Sequence, residues 1–118
     1  MKKKIIKLNY KGKKINLEIR KVPWWYEGIG LMFSRRKTAK ALLFSYRFQT
    51  RMSIFSSFIP FDFLAIWIDK QGEIIETRVV KKGESGVVPS RKFVKLVEIP
   101  ITPRYDEVLE FLDVKRKI

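Results

Sequence analysis

Ile6, Leu8 and Tyr10 alternate with Lys7 and Asn9, the two-residue period of a half-buried strand. After Lys11-Gly12 the alternation resumes, with Ile15, Leu17 and Ile19 on one face and Lys14, Asn16, Glu18 and Arg20 on the other. The pair predicts an opening β-hairpin with the glycine in its turn. Pro23 ends the second strand, and "WWYEGIG" reads as a bend or short helix loosened by Gly28 and Gly30. The segments "AKALLFSYRF" (39–48) and "MSIFSSFI" (52–59) are strand candidates. Residues 61–68 are dense in aromatic and β-branched side chains, at a length that suits a strand buried on both faces. "DKQGEI" then turns the chain, residues 74–80 return as the partner strand, and "KKGESG" is a loop with two glycines. Residues 93–99 form the last strand candidate.

The period changes at the C-terminal end. Thr102 fits an N-cap, Pro103 the first helical position, and Asp106 and Glu107 lie near the positive helix start. Tyr105, Val108, Leu109 and Leu112 follow at i, i+3, i+4 and i+7, one face of a helix. Lys115, Arg116 and Lys117 complement its far end. Strands followed by one closing helix predict a β-rich α+β fold: a compact, mostly antiparallel sheet or partly closed barrel with a C-terminal helix. At 118 residues with no internal repeat or linker, residues 1–118 read as a single domain.

Composition narrows the chemistry. The chain has no cysteine and no histidine, which removes disulfides, thiolate sites, the commonest metal ligand and the commonest general base. No cofactor and no metal are expected, and the reading leans away from an enzyme. The start, "MKKKIIKLNYKGKK", lacks the apolar run of about 7–15 residues that a secretory signal needs. No stretch reaches the ~20 apolar residues of a membrane span, so a soluble, cytoplasmic protein is expected. The net charge is +14 and is unevenly spread: residues 1–61 hold 15 Lys and Arg against Glu18 and Glu27 alone. Residues 62–118 hold 11 against 10 acids. Such asymmetry points to a polyanionic partner, with solubility as the plain alternative.

The densest basic-aromatic stretch is 33–51. Arg35, Arg36, Lys37, Lys40, Arg47 and Arg51 occur there with no acid, interleaved with Phe33, Phe44, Tyr46 and Phe48. Cations neutralise phosphates while aromatic faces stack on exposed bases, the way single strands are held without sequence readout. Lys13 and Lys14 extend the candidate polyanion surface, and Trp24, Trp25 and Tyr46 are the candidate aromatic contacts. The plain reading puts Phe44 and Phe48 in the core and leaves the cations on a solvated loop and edge strand. Ser53, Ser56 and Ser57 have no base to activate them. Asp69 and Gly72 are what a turn wants, while Glu73 and Glu76 point opposite ways on a strand.

Asp62 stands inside "FIPFDFLAIWI". By alternation it shares a face with Leu64, Ile66 and Ile68, so it must be paired. It reads as a structural anchor, together with Gly30 and Pro60, satisfied by backbone amides of the preceding "SSF" or by Arg35 or Arg47.

Four stretches in order give the chain a family resemblance: Gly30-Leu31-Met32-Phe33, Ala41-Leu42-Leu43-Phe44, Pro60-Phe61-Asp62 with Asp69-Lys70-Gln71-Gly72, and Pro89 with Phe93 to Glu98. Between Lys13 and Pro100 the sequence resembles the family called domain of unknown function 192. It departs from that pattern at Ser34, where arginine is usual, and at 52–57, where the family's polar markers are missing. Asp62 and Asp69 also stand about two residues further apart than usual, which preserves strand parity. The resemblance implies a small β-rich fold with a flanking helix; it does not imply an activity, because the family has no agreed one. The expectation is therefore a non-enzymatic binding module for RNA or single-stranded DNA. Two alternatives stay open: a small-ligand pocket or cryptic enzyme, and a scaffold that docks a protein partner or a second copy of itself.

Overall fold

The computed structural model describes residues 2–23, 36, 38–55 and 59–114. The alternation at the start becomes the hairpin β1 (Lys2–Tyr10) and β2 (Lys13–Lys21), in register from Lys2 opposite Lys21 to Tyr10 opposite Lys13. Gly12 takes a φ of 77° in its turn, a conformation open to glycine at no steric cost. The remaining strands are β3 (Leu42–Thr50), β4 (Ile54–Phe55), β5 (Phe63–Ile68), β6 (Ile74–Val80), β7 (Ser85–Val87) and β8 (Phe93–Pro100). A 3-10 turn, Pro103–Tyr105, leads into the short helix α1 (Asp106–Phe111).

Six strands form one sheet in the order β1-β2-β3-β8-β5-β6, while β4 and β7 pair as a separate ribbon. The sheet is mixed, not uniformly antiparallel: β2 and β3 run parallel, with Arg20 N–H to Ala41 O at 2.8 Å and Val22 N–H to Leu43 O at 2.9 Å. The edge strands β1 and β6 approach one another, so the sheet curls into a half-barrel. Strand β5, between β8 and β6, is buried at all six positions, as its unbroken apolar run predicts. On one face Leu8, Leu17, Ile19, Leu43, Ile66 and Val97 pack under Tyr105 of the 3-10 turn, Val108 and Leu109 of α1, and Leu112 just beyond it. On the other face Phe44, Phe63, Trp67, Phe93 and Leu96 pack with Ile54 and Val87 of the ribbon.

Three expectations are corrected. Of the strand candidate 52–59 only Ile54–Phe55 is a strand, and residues 56–58 lie outside the described residues. The end of "KKGESG" is not all loop, because Ser85 and Gly86 open β7. Thr102 precedes a 3-10 turn and makes no side-chain cap; its carbonyl, at 3.0 Å, accepts the Tyr105 N–H. The turn at 69–73 forms as expected: Asp69 Oδ1 accepts the Gln71 and Glu73 amides at 2.9 and 3.0 Å, and Gly72 has a φ of 84°. Among the described residues no helix is long and apolar enough to cross a membrane. The bend at 24–30 and the basic run 115–117 lie outside the described residues.

Candidate nucleic-acid interface

The sequence of β3 changes character halfway along. Leu42, Leu43 and Phe44 are buried, Ser45 and Tyr46 half-buried, and Arg47, Phe48 and Gln49 exposed. The reason is a register shift against β8. Ser45 pairs with Lys95, yet the next pair is Thr50 with Phe93, so β3 spends more residues than its partner over the same span. A bulge of this kind bends a strand and re-aims its side chains. Phe48 is left 79% exposed, with Met52 at 55% nearby.

Exposed cations lie along β3 and the segment paired with it. Arg47 is exposed on the bulge, and Arg51 donates from Nε and Nη2 to the Pro89 carbonyl at 3.2 and 2.9 Å. That contact fixes β3 beside the start of β8, where Arg91, Lys92 and Lys95 are exposed. Gln49, Lys70, Arg91 and Lys92 share the wall of a cleft of about 350 Å³. The acid in that wall, Asp69, already accepts two backbone amides. Close by, Glu76 Oε1 accepts the Ser90 amide at 2.9 Å.

The continuous basic run of the sequence is divided in space. Arg47 and Arg51 lie at one end of β3, while Arg36 and Lys40 lie before its other end. Arg36 donates to the Ile101 carbonyl at 3.3 Å. Lys40 lines a second cleft, of about 260 Å³, with Arg20, Arg104, Glu18, Glu107 and Tyr105. There the Arg20 hydrogen bond, then that of Lys3, holds the Glu18 carboxyl below its ordinary range. Lys13 and Lys14 are exposed beyond the hairpin turn. In that turn Lys11 bonds Asp113 at 2.9 Å. Among the described residues of the stretch the exposed aromatic is Phe48 and not Tyr46, which is half-buried with its ring edge-on to Phe93 at 5.6 Å. Trp24, Trp25, Gly30, Arg35 and Lys37 lie outside the described residues.

Asp62 is half-buried, and its carboxylate accepts a backbone amide. The amide comes from a different place than expected: Lys82 N–H reaches Oδ1 at 2.8 Å, and Lys81 Nζ stands 3.5 Å from Oδ2. Its carbonyl accepts the Ile101 amide at 3.2 Å. Asp62 thus ties the entry of β5 to the β6–β7 turn. Pro60 before it is exposed.

Comparison with protein-family models gives no match, and comparison with curated proteins gives none. Two solved structures share the fold. One is a protein from Sinorhizobium meliloti 1021, provisionally assigned as a transcription regulator, with a TM-score of 0.73, 16% identity, and coverage of 96% of this chain and 87% of that one. The other is a protein of unknown function from Novosphingobium aromaticivorans DSM 12444, with a TM-score of 0.71, 12% identity, and coverage of 96% and 80%. At such identities the likeness is one of fold.

Sequence reasoning passed over Phe48 as a contact and did not group Arg91, Lys92 and Lys95 with Arg47. The only local signal was their density, "SRK" and "FVK" after Pro89. Their proximity to β3 is a consequence of strand pairing. Glu98, the last residue of a strand motif in the sequence, is buried in β8.

Proposed function

We propose that this protein is a small non-enzymatic module that binds single-stranded nucleic acid, RNA or DNA, in the cytoplasm, and that it belongs with domain of unknown function 192. The observation that carries the binding reading is Phe48, 79% exposed on a bulge beside Arg47, Arg51, Arg91, Lys92 and Lys95. An aromatic ring in water stacks on a base, while the cations take the phosphates on either side. Neither contact reads sequence, so the module would bind broadly and with strong salt dependence. The family reading rests on the four stretches in order. The provisional role of the Sinorhizobium protein is compatible with nucleic-acid binding and, at 16% identity, adds nothing to it.

Fluorescence anisotropy with labelled oligo-U and oligo-dT of about ten nucleotides at low salt tests the reading. Phe48→Ala is expected to weaken binding by about 5- to 100-fold, the loss of one base stack, and Arg91→Glu with Lys92→Glu to remove it. Wild-type binding that both variants reproduce, or no wild-type binding, sinks the proposal.

A further inference from the structure

One side of β2 opens onto a cleft that the basic surface around Phe48 does not use. Tyr10 and Lys13 pair across the two-residue turn Lys11-Gly12, so they exchange hydrogen bonds, and alternation turns the odd positions of β2 toward β1. The even positions point their N–H and C=O the other way, as Arg20 does in donating to the Ala41 carbonyl at 2.8 Å. On that side β3 pairs with β2 at Arg20 and Lys21 only. Asn16 and Glu18 therefore aim backbone donors and acceptors at an edge where, among the described residues, no strand meets them. The cleft of about 260 Å³ lies along this edge, since residues 15 to 18 all line it in succession, side chains of both faces together. An open strand edge is a template for another strand.

The same wall carries the charge that selects an occupant. Arg20, Lys40 and Arg104 stand in it against Glu18 and Glu107, leaving positive charge in excess. Glu18 is already engaged by Arg20 at 3.0 Å and by Lys3 at 3.4 Å. Lys40 and Arg104 have no ion pair among the described residues, and exposed Glu107 offsets one of them. The Tyr105 hydroxyl, also in the wall, accepts the Ala41 amide at 2.6 Å and keeps its own proton to donate. The open edge has a fixed end. Beside Arg20 the ladder is taken by Ala41 and Leu42, so a strand laid along residues 15 to 18 must stop there, next to Lys40.

We propose that this cleft captures the carboxyl-terminal end of an extended peptide, which adds a short strand to β2, parallel to it and continuing the place of β3 in the sheet. Main-chain groups of the peptide bond the N–H and C=O of Asn16 and Glu18, the usual source of affinity in strand addition. Its terminal carboxylate meets Lys40, Arg104 and the Tyr105 hydroxyl, charge-assisted contacts stronger than neutral ones. The orientation follows from the block at Ala41. A parallel strand arrives there with its carboxyl terminus, an antiparallel one with an ammonium that the cations repel. Ile15 and Leu17, on the core face of β2, offer an apolar wall to the peptide side chains on that face. At about 260 Å³ the cleft is slightly smaller than the roughly 300–1,000 Å³ of pockets for drug-sized ligands, room for a chain end and not for a folded partner. This site is independent of the nucleic-acid reading, and the two fail separately.

The probes are acetyl-Thr-Val-Thr-Val, whose only charge is its terminal carboxylate, and the same peptide closed by a terminal amide. Each is titrated into the isotope-labelled full chain at neutral pH and followed by backbone amide NMR shifts. The acid is expected to shift the Asn16 and Glu18 amides saturably, and the amidated peptide to bind about tenfold more weakly. Lys40→Gln with Arg104→Gln should weaken the acid by about the same factor and leave the amidated peptide as it was. Acetate, which has the charge and no main chain, should leave the two amides in place. The spectrum itself reports whether the variant is folded, and the acid–amide comparison on wild type decides the matter if it is not. Absence of a saturable shift at Asn16 and Glu18, or equal affinity for acid and amide, overturns the site. A folded double variant that binds the acid as wild type does, or acetate that reproduces the shifts, overturns it as well.

Discussion

A carboxyl enclosed between Leu42 and Ala65 releases its proton at a different pH from one in the unfolded chain, and folding stability records the difference. Glu98 has an ordinary value of 4.5 and is pushed up to about 8 by burial. Between those values the folded protein holds a proton that the unfolded chain has released. Stability is therefore highest below the unfolded value and falls as pH rises, by roughly 1.4 kcal/mol per pH unit from this group, until the folded value is passed. The urea midpoint of the wild type should decline between pH 5 and 8, and Glu98→Gln should remove that part of the decline. Parallel profiles for the two proteins would mean that the carboxyl is already ionised or partnered. In the sequence, Glu98 in "LVEIP" looks no different from Glu18 in "INLEIR". The distinction is positional: Glu18 is exposed on a strand near the sheet edge, whereas β8 lies between β3 and β5 and is covered on both faces. Phe48 is the converse case, an aromatic in alternation with Phe44 and Tyr46 that stands exposed where the strand bulges.

At the level of elements, period and turn chemistry were legible because they are local. The hairpin, the fully buried β5, the Asp69–Gly72 turn and the helical face of Tyr105, Val108, Leu109 and Leu112 all follow from spacing and residue type. The joint between β2 and β3 was not legible. It is a parallel pair made by residues twenty or more apart in sequence, fixed in part by the helix. The Tyr105 hydroxyl accepts the Ala41 amide at 2.6 Å, at the point where β3 begins, while the Ala41 carbonyl accepts from Arg20. Burial raises the Tyr105 phenol above its ordinary value, so it stays protonated. Tyr105→Phe leaves the Ala41 N–H buried and unpaired. The expected cost is about 1–3 kcal/mol, measured as a fall in the urea midpoint with the slope unchanged. A neutral outcome would mean that the helix is held by its apolar face alone.

For the whole molecule, the charge asymmetry was plain in the sequence and its layout was not. A net charge of +14 is distributed over a body 32 × 30 × 28 Å across. Because β2 and β3 run parallel with Arg20 beside Leu42, Lys13 and Lys14 lie toward one end of the sheet and Arg47 and Arg51 toward the other. Binding centred on Phe48 therefore draws on the cations at that end. Neutralising Arg91, Lys92 or Lys95 should each reduce the slope of log K against log salt by about 0.7 for a single strand, whereas Lys13→Gln with Lys14→Gln should leave it unchanged. Equal effects at the two ends would replace a defined site with diffuse attraction. The sequence by itself determined the opening hairpin, β5, β6 and β8, the Asp69–Gly72 turn, the closing helix and the positive charge, since each depends on neighbours a few residues away. Only the tertiary structure decided that β2 joins β3, that Phe48 faces water, and that Glu98 is buried between β3 and β5. Those outcomes depend on pairing between distant strands, and no local pattern encodes a partner.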